Sequence, residues 1–100
     1  MIPLDDRSPA AEVLEEHEDT TGWRFRVAIT RLDGSRAEHE ITLAWVDHDH
    51  WTGGSVPPSR LVERLAVLIA ERKPDLPPRF DAAKARRWMP ELDDLLMRLR

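Results

Sequence analysis

The sequence predicts a small α+β domain in which a β-hairpin packs against two to three helices in the order β-β-α-α. A third short strand and an N-terminal helix are optional additions. Three observations predict this class. Apolar and polar residues alternate between residues 23 and 46, as in half-buried strands. An Asp-Gly turn divides that alternation, and apolar residues return with helical spacing after residues 58 and 81.

Length and composition fit one domain with a single modest core. The chain has 100 residues, of which 41% are hydrophobic and 34% charged, and it contains no cysteine. Residues 1–7 lack the apolar segment of a secretory signal, and the longest apolar run, from Leu65 to Ala70, is too short to cross a bilayer. We therefore expect a cytoplasmic protein without disulfides and without membrane association.

The charge is unevenly distributed along the chain. The net charge is −4, but residues 1–50 carry 12 acids and 5 bases, whereas residues 51–100 carry 7 acids and 10 bases. Such asymmetry arises when two halves attract each other within a fold, or when one half forms a basic binding face. The first interpretation is favoured here.

Residues 1–22 are predicted to form an acidic N-terminal arm next to a single α+β domain at residues 23–100. Ser8 and Pro9 suit a helix start, which indicates a short helix from Pro9 to about Glu16. Four acids between residues 15 and 19 would crowd the negative end of that helix dipole. We therefore expect a frayed or mobile arm, with the short helix as the alternative.

The hairpin has one apolar and one polar face. Its strand faces are defined by side-chain parity, and the expected core face includes a tryptophan in each strand. The members of that face are Trp23, Phe25, Val27, Ile29, Ile41, Leu43 and Trp45.

The register of the hairpin follows from this parity. A two-residue loop would set core residues against charges, whereas a three-residue loop at residues 32–34, with its glycine left-handed, pairs Phe25 with Ile41. The same register sets Arg26 opposite Glu40 on the polar face, which predicts a surface ion pair between them.

Two helical regions complete the domain. Pro58 is placed to begin a helix that Pro74 ends, and its apolar stripe is the expected cover of the hairpin. Asp81 is the expected N-cap of the last region, which Pro90 should break. The stripe of the first helix comprises Leu61, Val62, Leu65, Leu68 and Ile69.

The loop after the hairpin, residues 47–54, ends in two glycines and is read as a turn or a short irregular extension. A third strand near His48 to Thr52, or pairing across a dimer, would complete the sheet.

A set of motif residues is distributed over the second half of the chain: Trp51, Gly53, Gly54, Pro58, Leu61 to Arg72, Arg79, Phe80, Asp81, Trp88, Pro90 and Glu91. Together with the hairpin they resemble a family of small bacterial proteins of uncharacterised activity. In that family, a hairpin that turns at Asp-Gly precedes a Gly-Gly and Pro-led helix and a closing Phe-Asp and aromatic-x-Pro-Glu segment. The resemblance covers roughly residues 23–95 and implies a fold without any activity or site residue. The chain departs from the pattern at Met89, where an aromatic is expected beside the proline.

His48 and His50 are the candidate metal ligands. If the strand continued through residue 50, the two imidazoles would share a face, as in strand-borne His-x-His metal sites. Asp47, Asp49 or His39 would supply a third ligand, although His39 has the parity of the core face and His48 that of the polar face. A solvated polar turn is the competing interpretation, and no cofactor is predicted.

Arginines give a second alternative, nucleic-acid binding. Arg24 and Arg26 lie on the polar face of the hairpin, and Arg86 and Arg87 precede a tryptophan. The acidic net charge and the glutamates beside Arg26 make nucleic acid an improbable partner.

The leading hypothesis is a non-enzymatic protein-interaction or regulatory module. No nucleophile elbow or helical zinc motif accompanies the elements above. A hairpin leaves unpaired edges, and Trp51 lies outside the periodic elements, where it either closes the core or contacts a partner. The sheet edge and the 47–54 loop, with Trp51, Asp47 and Asp49, are thus the expected contact surface for a partner protein or a second copy.

Overall fold

A computed structural model describes residues 9–99 and is mixed α+β, as the sequence predicts. Four strands form one sheet, and four helices and a 3-10 turn accompany them. In chain order these are β1 (Ala10–Glu18), β2 (Gly22–Thr30), β3 (Arg36–Ala44), α1 (Trp45–Thr52), α2 (Pro58–Arg72), β4 (Arg79–Asp81), the 3-10 turn (Ala82–Lys84), α3 (Ala85–Trp88) and α4 (Leu92–Met97).

The sheet has the order β1-β2-β3-β4, in which the first three strands are antiparallel neighbours and β4 runs parallel to β3. The helices lie on the apolar face, where the sheet and the α2 stripe share one core. The opposite face, which we call the outer sheet face, carries the polar residues of β2 and β3. Among the fully buried core residues are Phe25, Val27, Ile41, Leu43, Trp51, Leu61, Leu65, Ile69, Leu92 and Leu96.

The predicted hairpin register is confirmed. Phe25 pairs with Ile41, and Arg26 lies opposite Glu40. The loop contains residues 32–34, and Gly34 has a φ of 87° in the left-handed region. The amide of Gly34 donates to the carbonyl of Arg31 over 2.9 Å, which closes the turn.

The alternative of a short helix from Pro9 to about Glu16 is wrong, because residues 10–18 form β1 at the edge of the sheet. Ala11 and Val13 pack against the core, and a bulge between Val13 and Glu15 shifts the later register. A two-stranded hairpin is marginal in water, so pairing β1 with β2 satisfies more backbone groups than a helix with acids at its negative end. The rest of the predicted arm, residues 1–8, lies outside the described residues.

The third strand near His48 to Thr52 is also a wrong prediction, since that segment is part of α1. The hairpin is instead extended by β1, which pairs with β2. The prediction that Trp45 belongs to the core face of the hairpin is wrong as well. The strand ends at Ala44, so the alternation stops before Trp45, which is 43% exposed.

The predicted order β-β-α-α with two to three helices is wrong, because β1, α1 and β4 are additional elements. The start of α2, its buried stripe, the cap at Asp81 and the break at Pro90 are confirmed. α2 begins at Pro58 and buries the whole predicted stripe. Asp81 caps the 3-10 turn by accepting from the amide of Ala83 over 2.9 Å. The last region is broken at Pro90, between α3 and α4. The parallel pairing of β4 with β3 has no counterpart in the sequence predictions.

Candidate interaction surface

The segment predicted as a turn or a short irregular extension, residues 47–54, belongs mostly to helix α1, which has a well-defined C-terminus. Its C-cap is Gly53, whose φ of 61° is left-handed and whose amide donates to the carbonyl of Asp49 over 2.7 Å. Within the last turn, the hydroxyl of Thr52 donates to the carbonyl of His48 over 2.8 Å. Gly53 is the sequence signal that could have indicated this helix, because a glycine directly after the last helical residue is typical of a helix C-terminus.

The inner face of α1 is held against the rest of the protein. His48 makes a 2.6 Å hydrogen bond between Nε2 and the carbonyl of Val56, and its ring contacts the edge of Trp23 at a centroid distance of 5.2 Å. Trp51 and Thr52 are buried. The helix is therefore fixed by side chains one turn apart.

Trp51 lies within the core with no exposed surface. The interpretation that this residue closes the core is confirmed, whereas a direct contact with a partner would require the ring to leave the core. Its placement follows from the helix, which sets Trp51 three residues after His48 on the inner face.

Trp51 also belongs to a polar network that joins three helices. Its indole nitrogen donates to Asp93 Oδ1 over 2.6 Å, and Arg86 Nε donates to the same oxygen over 2.9 Å. The guanidinium of Arg86 lies 4.6 Å from the indole centroid and 3.6 Å from Asp47 Oδ1. Asp47 is thus engaged inside the protein, unlike Asp49, which is exposed on α1.

The outer face of α1 is apolar at its start. Trp45 is 43% exposed and Val46 is 73% exposed. Asp49 and His50 follow them at a spacing of four residues, so these four side chains share one face of the helix. We call this surface, formed by Trp45, Val46, Asp49 and His50, the α1 outer face.

A small hollow adjoins the start of this face at the end of the sheet. Its volume is about 260 Å³. The amide of Trp45 donates to the carbonyl of Thr21 over 2.9 Å, which connects the helix to the wall of the hollow. The lining residues are Asp19, Thr21, Gly22, Trp23, Thr42, Leu43, Ala44 and Asp81.

Two carboxylates of the hollow are held by neutral donors. Asp19 Oδ1 accepts from the amides of Thr21 and Gly22 at 2.9 and 3.0 Å, and these bonds lower the pKa of Asp19. Asp81 Oδ2 accepts from the Thr42 hydroxyl over 2.9 Å. Hydrogen bonds from neutral groups stabilise the carboxylates without cancelling their charge.

The predicted metal pair does not form the geometry on which it depended. His48 and His50 are two residues apart on a helix rather than on a strand, so they point to different sides of α1. His48 is turned inward to Val56, while His50 lies on the outer face. Within residues 9–99, no cluster of three or more His, Cys, Asp or Glu side chains is arranged to hold a metal ion.

The four arginines of the nucleic-acid alternative are not brought together. Arg24 and Arg26 belong to the outer sheet face, whereas Arg86 stacks on Trp51 on the helical side, where Arg87 is exposed. Two of the four are also committed to carboxylates. A continuous basic patch is absent from this arrangement of the four residues.

Arg26 forms its ion pairs with neighbours other than the one predicted. Although Glu40 lies directly across from it, Arg26 binds Glu38 over 2.7 Å and Glu15 of β1 over 3.0 Å. The hydrogen bond from Arg26 lowers the pKa of Glu15. The unforeseen strand β1 accounts for one of these two pairs, because it supplies Glu15 on the other side of Arg26.

The two sheet edges are poorly suited to pairing with another strand. β1 contains a bulge and four glutamates, and its Val13 amide is already bound to Glu63 Oε2 over 3.0 Å. β4 has three residues. Bulges, charges and short edge strands all protect a sheet from edge-to-edge association. The α1 outer face is therefore the better candidate surface.

Comparisons of this chain with protein-family models, with curated proteins and with solved structures found no match. None of the helices formed by residues 9–99 combines the length and the hydropathy needed to cross a bilayer.

Proposed function

We propose that this chain is a non-enzymatic protein-interaction module that contacts its partner through the α1 outer face. The observation that carries the proposal is the adjacent exposure of Trp45 and Val46 on a helix whose other side is fixed in the core. Tryptophan is enriched among the residues that dominate binding energies at protein interfaces.

The fixed inner face makes this surface suitable for binding. Trp51 is tied to Asp93, and His48 to Val56, so the backbone that presents Trp45 is ordered before any partner arrives. A preordered surface loses less conformational entropy on association than a flexible loop. This is a structural reason to assign the contact to α1 rather than to the hairpin turn.

A partner protein is a better occupant of this face than a second copy of the chain. A symmetric dimer through the α1 outer face would bring the two Asp49 carboxylates towards each other, and each copy has a net charge of −4. Like charges at an interface oppose association. We therefore expect the isolated protein to be monomeric.

The test compares two sets of exposed apolar residues on the same protein. The double variant Trp45→Ala/Val46→Ala removes the proposed contact, and Leu32→Ala removes the 63% exposed leucine of the hairpin turn at the other end of the strands. Each protein is immobilised, and proteins retained from a lysate of the cells that make it are quantified by mass spectrometry.

We expect a specific protein that is retained by the wild type and by Leu32→Ala but lost from the double variant. Circular dichroism and urea unfolding verify that all three proteins are folded. Retention that survives the double variant, or that depends equally on Leu32, would overturn the proposal. Light scattering that shows a dimer lost with Trp45 and Val46 would replace the partner protein with a second copy.

A further inference from the structure

We infer that the partner presents a basic segment, with a lysine or arginine in the hollow between Asp19 and Asp81 and an apolar side chain against Trp45 and Val46. This inference rests on the proposed function and names the chemistry of the partner at the same surface. It depends on the continuity of the hollow with the helix, on the charge around both, and on the hydrogen-bonding character of the lining.

The hollow and the apolar pair form one continuous surface. Ala44 lines the hollow and directly precedes Trp45, whose amide donates to the carbonyl of Thr21, another lining residue. A segment that places one side chain in the hollow would therefore lay its neighbours over Trp45 and Val46.

The charge around this surface is negative and not compensated by ion pairs. Asp19, Asp49 and Asp81 form no ion pair with any of residues 9–99, whereas Glu91 binds Arg72 and Asp93 binds Arg86. Arg24, which lies across from Thr42, is a cation close enough to act on Asp19, so three carboxylates face one nearby arginine. The pKa of Asp19 is lowered, chiefly by the amides of Thr21 and Gly22. A cationic partner would thus be attracted, and a nucleic acid would be repelled.

The hydroxyl groups of the hollow add to this preference. The Thr42 hydroxyl donates a hydrogen bond to Asp81 over 2.9 Å, and the Thr21 hydroxyl donates one to Asp19 over 3.4 Å. Each hydroxyl oxygen can therefore still accept a hydrogen bond through its lone pairs. Lysine and arginine carry donors and no acceptor. The lining is therefore complementary to an ammonium or guanidinium group.

The size of the hollow favours one side chain over a metabolite. Its volume of about 260 Å³ lies below the roughly 300–1,000 Å³ of small-molecule sites. A long basic side chain can enter such a space while its aliphatic stem covers apolar surface. The rest of the binding energy would come from the contact with Trp45.

The experiment selects binders to the whole protein from a displayed library of random linear peptides, at low salt. We expect the selected peptides to contain lysine or arginine beside an aliphatic or aromatic residue. The affinity of a selected synthetic peptide should fall roughly tenfold in Asp19→Asn/Asp81→Asn, and it should weaken with added salt. Asn retains an acceptor oxygen, so the backbone amides at both positions stay bonded.

The control variant is Asp33→Asn, an exposed acid at the distant hairpin turn, which should bind the peptide like the wild type. Asp49→Asn is a single variant on the exposed helix surface that tests the same charge effect should the double variant fail to fold.

The outcomes separate the two proposals. Peptides that need Trp45 but show no preference for basic residues would overturn this inference and leave the proposed function intact. Peptides that bind equally well to Trp45→Ala/Val46→Ala would overturn both, as would a library that gives no binder.

Discussion

The indole nitrogen of Trp51 donates a hydrogen bond to Asp93 Oδ1 over 2.6 Å and thereby joins α1 to α4. The indole is fully buried, while the carboxylate that accepts the bond is 41% exposed and also receives Arg86. This single contact connects the core to the base of the helix that carries Trp45. The stability of the domain and the geometry of the proposed binding surface are therefore coupled.

Replacing Trp51 with Phe should destabilise the protein by about 1–3 kcal/mol. Phe lacks the N–H and fills less of the core, so both the bond to Asp93 and some packing are lost. Urea unfolding followed by circular dichroism gives the free energy of unfolding. The matched control is Trp45→Phe, for which we expect a change within about 0.5 kcal/mol because the ring is exposed. Equal losses in the two variants would contradict the assigned role of Trp51.

Asp93 should contribute to a dependence of stability on pH. The bond from Trp51, followed by that from Arg86, lowers the pKa of Asp93 in the folded protein below its ordinary value of 3.8. A lowered pKa in the folded state stabilises the fold above the ordinary pKa, and this stabilisation is lost as pH falls through the lower folded-state value. Acidification should therefore narrow the difference in unfolding free energy between the wild type and Asp93→Asn.

The measurement is a series of urea unfolding curves for both proteins from neutral pH to about pH 3. Other carboxylates, including Glu91 and Asp19, also have lowered pKa values in the folded protein. Because they are present in both proteins, their effect cancels in the difference. A difference that stays constant down to the lowest pH would show that Asp93 is not stabilised by its neighbours.

The hairpin could be predicted from the sequence because two independent constraints agree there. Side-chain parity excludes the register that buries charges, and a loop ending in Gly34 gives the required left-handed residue. Helix α2 could be predicted equally well, because it starts at Pro58 and its apolar stripe repeats with the helical period. In both cases local pattern and tertiary packing point to the same structure.

The elements that sequence reasoning missed are those that tertiary contacts decide. β1 is rich in glutamate, and its strand character depends on pairing with β2 and on Arg26, which binds Glu15. α1 is short and has no apolar stripe of helical period, so the inward turn of His48 and Trp51 was not visible. Because α1 was not predicted, the exposed position of Trp45 and the candidate surface could not be predicted either.

Substitutions at Gly22 and Gly34 should be costly for different reasons. A Cβ at Gly22 would clash with the carbonyl oxygen of Leu43, whereas at Gly34 nothing lies within 4 Å and the constraint is a φ of 87°. Gly34→Ala should cost about 1 kcal/mol, and Gly22→Ala more, because the two strand backbones must separate.

Asparagine distinguishes the two mechanisms. Because Asn tolerates the left-handed conformation, Gly34→Asn should be more stable than Gly34→Ala, while Gly22→Asn should be no better than Gly22→Ala. Thermal unfolding of the four variants provides the comparison. A rescue by Asn at Gly22, or none at Gly34, would show that the close approach and the turn geometry have been assigned to the wrong positions.

His48 is expected to act as a structural residue rather than as a metal ligand. His48→Ala removes the hydrogen bond to the Val56 carbonyl and the edge contact with Trp23, so it should lower the free energy of unfolding by about 1–3 kcal/mol. Because the helix directs His48 and His50 to different sides, the variant should retain as much Zn²⁺ as the wild type when both are purified without a histidine tag. Elemental analysis after dialysis measures the metal content. Stoichiometric Zn²⁺ in the wild type that disappears in His48→Ala would instead restore the metal site and require α1 to rearrange on binding.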